Sequence, residues 1–113
     1  MSTLLKDLNG SEFIKNPKHR EVYNRYVTGK DENDRLSASI VKIMPGGEIM
    51  PHTHEVLEVF YILEGEGMAL VNGERKPARS GSVIVAPPGE EHGVLNTGEK
   101  EILMYAVFSP GIA

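Results

Sequence analysis

The stretch PHTHEVLEVFYILEG, residues 51–65, changes character at its middle. Its first half carries two histidines two positions apart and a glutamate four positions later, and its second half is a dense apolar run closed by Gly65. A helix would put His54 and Glu58 on one face. Pro51, however, restricts the residue before it, and Val59 to Leu63 crowd β-branched and aromatic side chains ahead of a glycine, so the segment reads as strand. In an extended chain His52 and His54 share a face about 6.6 Å apart, at roughly 3.3 Å per residue, and two imidazoles can converge on one ion. Glu58 would lie about 13 Å beyond His54 in an unbroken strand. Residues 55–57 must therefore bend, with a new strand starting at Glu58.

The same grammar recurs on either side of this segment. Short runs rich in Val, Ile, Leu, Tyr and Phe, separated by Gly and Pro, predict strands near 21–28, 36–44, 58–63, 67–72, 74–78, 82–86, 92–96 and 101–108. Asn72-Gly73 is the strongest turn signal, because both residues tolerate the positive φ of a tight two-residue hairpin. Residues 31–35, DENDR, read as a solvated loop, and the first twenty residues are ambiguous. Many short strands with no helical period imply an all-β chain, an antiparallel sandwich or barrel.

At 113 residues the chain suits one domain. It has no cysteine, so disulfides, thiolate metal sites and a Cys nucleophile are excluded, and any metal must be held by His and carboxylates. The net charge of -4, with scattered Lys and Arg, argues against nucleic acid as a partner. The opening MSTLLKDLNGSE lacks a basic stretch followed by an apolar core, and no apolar run approaches the roughly 20 residues that span a bilayer. The expectation is a cytoplasmic protein without a membrane partner.

Two histidines remain to complete a site. His19, in NPKHRE, sits among charges and is expected to be solvated. His92 follows APPGEE, where two prolines and a glycine make a rigid delivery loop, and it opens a strand. Gly46, His52, His54, Glu58 and Gly65 fit G-x5-H-x-H-x3-E-x6-G, while Gly81, Pro87, Gly89, His92 and Asn96 fit G-x5-P-x-G-x2-H-x3-N. These are the two cupin motifs. Over residues 36–108 the chain resembles the small single-domain cupins of the conserved-barrel type. The resemblance implies an antiparallel jelly-roll β-barrel, with one divalent transition metal held by His52, His54, Glu58 and His92. Residues 36–113 would form the barrel, and residues 1–35 a segment packing on it or swapping with a neighbour.

Of function the resemblance says less, because the superfamily hosts dioxygenases, decarboxylases, isomerases, lyases and plain binding proteins. The expectation is a metal-dependent enzyme acting on a small oxygen-bearing organic molecule. The alternative is a non-catalytic cupin that binds or senses a metal or small ligand. Three imidazoles and a carboxylate suit Mn or Fe first, then Ni or Zn. Tyr61 and Tyr105 are candidate acid/base groups, although aromatics in strands more often serve packing. If Glu58 points inward, Phe60 and Ile62 do also; with Val94 they are expected to wall the pocket, and Ser37 and Ser39 to add polar contacts. Asn96 is expected to bond local backbone in a turn. The outward Val59, Tyr61 and Leu63 leave a second apolar face that another sheet or another subunit must cover, and in so short a chain a symmetric homodimer is the expectation.

Overall fold

A computed structural model describes residues 2–112. Among the described residues nine strands form: β1 (Ile14–Lys15), β2 (Arg20–Thr28), β3 (Ser37–His52), β4 (Leu57–Glu64), β5 (Glu66–Val71), β6 (Glu74–Arg79), β7 (Val83–Ala86), β8 (His92–Leu95) and β9 (Ile102–Ser109). All pairings are antiparallel. Together they make a jelly roll. No helix among the described residues is long and apolar enough to cross a membrane.

The fold turns on β3, which is 16 residues long where the sequence predicts a strand ending near residue 44. Its first half, Ser37–Ile43, pairs with β9 on one side and with β2 on the other. Its second half, Glu48–His52, pairs with β8 in place of β9, while Glu48 still faces Arg20 of β2. One strand thus belongs to two sheets. Pro45, Gly46 and Gly47 make the corner, with Gly46 at a φ of 77°, a conformation that a Cβ would strain. Asn96 locks that corner from β8: its backbone N–H donates to Gly47 and its carbonyl accepts from Gly46. Its buried side-chain amide donates to the Ile43 and Lys100 carbonyls. The local bonding expected for Asn96 is present, its Oδ1 accepting the Gly98 N–H and its amide donating to Lys100, but the bonds to Ile43, Gly46 and Gly47 reach far along the chain.

One sheet runs β2-β3-β9-β4-β7, with β1 outside β2, and the other runs from the second half of β3 through β8 and β5 to β6. The β5–β6 hairpin closes at Asn72-Gly73, whose φ angles of 52° and 77° fit the tight turn expected there. Between the sheets lies one core, with Val22, Val41, Ile43, Phe60, Ile62, Val94, Ile102, Met104 and Ala106 all buried. β2 contributes Val22 to it. Period-two alternation holds along β4: Glu58, Phe60 and Ile62 are buried, whereas Tyr61 and Leu63 are exposed.

Candidate metal centre

β3 ends at His52, and residues 53–56 form no strand before β4 begins at Leu57. This is the bend that the reach of Glu58 requires. It also changes how the histidines meet. His54 does not share a strand face with His52 as the extended reading has it; it lies in the connecting loop, and its carbonyl accepts the Gly89 N–H at 2.9 Å. That bond ties the loop to the Pro-Pro-Gly turn leading to His92. His52 and His92 are direct cross-strand partners on β3 and β8, while Glu58 comes from β4 in the opposite sheet.

The four side chains converge, with one donor atom from each lying within 4.8 Å of the others. Ring centroids of His52, His54 and His92 are 4.5–5.3 Å apart. Glu58 is 2 % exposed, and its Oε1 stands 2.8 Å from both His54 Nε2 and His92 Nε2.

The backbone dictates which ring nitrogen faces inward. His52 Nδ1 is 2.7 Å from the Met50 carbonyl, His54 Nδ1 3.1 Å from that of Val56, and His92 Nδ1 3.0 Å from that of Glu90. A carbonyl only accepts, so each Nδ1 carries the proton and each neutral ring turns a bare Nε2 lone pair into the site. Three lone pairs and a carboxylate oxygen then face one another, with Glu58 and His92 buried and His52 and His54 half-buried. Such a set of acceptors requires a proton or a cation among them, and backbone carbonyls orienting the far nitrogen are the usual support of metal-binding imidazoles. The residues fit a divalent transition metal.

The electrostatics set His92 apart from His52. Burial alone would depress the His92 pKa, but the Glu58 carboxylate and the Glu90 carbonyl outweigh it and raise it above the ordinary imidazole value. Burial lowers that of His52; the neighbouring His92 and His54 add to the effect, and the Met50 carbonyl and Glu58 oppose it.

His52, His54 and Glu58 of the cluster line a pocket of about 860 Å³, toward the upper end of the usual range for small-molecule sites. Phe60, Val41, Ile49 and Phe108 supply apolar wall, and Ser37 and Ser39 line it as expected. Ile62 and Val94 do not: both belong to the sealed core, 0 % and 1 % exposed, because inward parity fixes the face of a strand but not its depth along the barrel. Tyr61 is 45 % exposed on the outer face of β4, paired with Tyr105 of β9, and neither lines the pocket. Neither hydroxyl is thereby placed to act as an acid or base in that pocket. His19, expected to be solvated, is instead part of the pocket wall, with its ring centroid 5.1 Å from that of His52. No spacing rule reveals this, since it is the β1–β2 turn crossing over β3 that brings His19 in.

Residues 39–108 match the Cupin domain family. The chain belongs to the cupins. Among characterised relatives, this cupin is 38 % identical over 68 residues to an oxalate-binding protein of Thermotoga maritima, spanning 59 % of this chain and 56 % of that protein. It is 33 % identical over 84 residues to an L-ectoine synthase of Vibrio campbellii, 74 % of this chain and 66 % of the synthase. The cupin therefore spans a little over half to two-thirds of these relatives' lengths. KdgF from a Halomonas species superposes with a TM-score of 0.83 over 96 % of this chain and 94 % of its own, at 23 % identity, a likeness of fold.

Proposed function

We propose that this cupin holds one divalent metal through His52, His54, Glu58 and His92, and acts as a metal-dependent enzyme on a small molecule with two adjacent oxygens. The observation that carries the reading is the convergence of three backbone-oriented Nε2 lone pairs on the Glu58 carboxylate. Mn or Fe is the first expectation and Ni or Zn the second, because this donor set accepts all four and supply decides. The metal would supply Lewis acidity toward the ligand oxygens. Glu58 is the single carboxylate in the set and leaves a divalent site near +1, which favours a small bidentate anion such as a keto acid, a hydroxy acid or an enolisable diketone. Phe60 and Phe108 exclude water from one side of the pocket and strengthen that attraction. The oxalate-binding relative is consistent with this class, oxalate being a dicarboxylate with adjacent oxygens. A non-catalytic binding role is the second reading, favoured by the outward placement of Tyr61 and Tyr105.

Protein purified without a nickel column should contain about one divalent ion per chain, and stripped protein should gain thermal stability when Mn(II) is returned. The gain should weaken in acid. Each Nε2 must be bare to bind, and the His92 pKa is raised, so loss of affinity begins above the ordinary imidazole value of about 6.5 and reaches about tenfold per pH unit for each proton displaced. Absence of metal, with no thermal response to any divalent ion, would refute the proposal. Turnover of a keto or hydroxy acid by the loaded protein separates the enzyme from the binding protein.

A homodimer is proposed on the outer face of β4 and β7. There Tyr61, Leu63, Val83 and Val85 are exposed by 38–58 %, and Tyr61 pairs with Val83 across the two strands. β7 is also a sheet edge, with one side unpaired among the described strands. Light scattering at micromolar concentration should give twice the chain mass, and Val85→Lys should give the monomer.

A further inference from the structure

His19 is wired oppositely to the three histidines beside it. It sits in the β1–β2 turn, which is tightened by the Asn16 side chain accepting the Lys18 N–H at 3.0 Å. Its Nδ1 accepts the Met50 N–H at 3.0 Å. An amide only donates, so Nδ1 carries the lone pair and the neutral ring keeps its proton on Nε2. His52, His54 and His92 turn acceptors inward, whereas the His19 ring, which lines the same pocket, carries its N–H on Nε2. Met50 organises both kinds: its carbonyl receives the His52 Nδ1–H and its N–H is received by His19. The ring lies against His52, 5.1 Å between centroids at 48°, and half-buried, so its orientation is held by packing as well as by the hydrogen bond.

An anion held beside His52 presents oxygen lone pairs that the metal does not use, and a fixed neutral N–H is suited to one of them. We infer that His19 is a positioning residue for the bound anion, donating from Nε2 to an anion oxygen while taking no part in metal ligation. This rests on the metal-centre reading above and adds to it the residue that selects and orients the ligand. The β1–β2 turn, outside the matched cupin segment, then carries a specificity determinant.

The test uses Mn(II) and oxalate as probes, with metal and anion affinities measured separately by titration calorimetry. His19→Phe keeps a flat ring and removes the donor; His19→Gln places an amide N–H near the position of Nε2. Both variants should bind Mn(II) within about twofold of wild type. Oxalate affinity of the loaded protein should fall about tenfold or more in His19→Phe, as for loss of a hydrogen bond to a charged group, and recover to within about threefold in His19→Gln. Nitrogen NMR of the metal-free protein should find the His19 proton on Nε2. A proton on Nδ1, unchanged oxalate affinity in His19→Phe, or no oxalate binding by loaded wild-type protein would overturn the inference with metal binding intact. A large loss of Mn(II) affinity in both variants would overturn it by making His19 a ligand. Failure of wild-type protein to bind Mn(II) would bring down the metal-centre reading itself, and the inference with it.

Discussion

His92→Ala is expected to lower Mn(II) affinity by at least 100-fold in titration calorimetry. Changes to outer-shell partners of metal ligands alone cost about 10 to 100-fold, and loss of an imidazole donor exceeds that. The residue is decisive because it comes from β8, across the site from the β3–β4 connection that carries His54, and no other described side chain on β8 can replace it. The metal-free variant should also be less stable by about 1–3 kcal/mol, since Glu58 is 2 % exposed and would lose one of its two imidazole partners. Glu58→Gln should weaken Mn(II) binding comparably while leaving an uncharged amide in its place. Wild-type affinity in His92→Ala would remove His92 from the ligand set.

Phe60→Ala should destabilise the metal-free protein by about 3–5 kcal/mol in urea unfolding, the usual cost of emptying a buried aromatic position. That is a large part of a total stability of roughly 5–15 kcal/mol. Phe60 is 2 % exposed, opposite Ile84 of β7 and Ala106 of β9, and its ring centroid is 6.1 Å from that of His92. The cavity therefore opens beside a proposed ligand, and Mn(II) affinity should fall by a smaller factor than in His92→Ala. Glu64→Ala, at the exposed end of the same strand, is the control and should change stability by less than about 0.5 kcal/mol. A Phe60→Ala variant as stable as this control would mean that Phe60 is not part of the core.

Much of this was legible in the chain because strand structure has short-range causes. Alternation along residues 58–63 follows from the two-residue period of the pleat, and Asn72-Gly73 closes its hairpin through the φ angles that those two residues permit. The bend after His54 was forced by reach: Glu58 cannot meet His54 from a straight strand. The four clustered residues were legible through the two cupin motifs, in which the order of strands in a jelly roll is already implicit.

What the sequence determined by itself was thus the strand grammar, the inward parity of Glu58 and the identity of the converging side chains. The tertiary structure decided everything that depends on which strands lie side by side. Pro45-Gly46-Gly47 looks like a terminator locally, but pairing with β8 carries the chain through the corner into a second sheet. Parity places Ile62 and Val94 inside the barrel, yet both are sealed core and the pocket is lined by other inward residues such as Val41, Ile49 and Phe60. His19 reads as a solvated residue among charges, and it becomes pocket wall because β2 pairs with β3 and lays the preceding turn over His52. Backbone and side-chain preferences act over a few residues, whereas depth in a barrel and contact across a sheet depend on partners far along the chain.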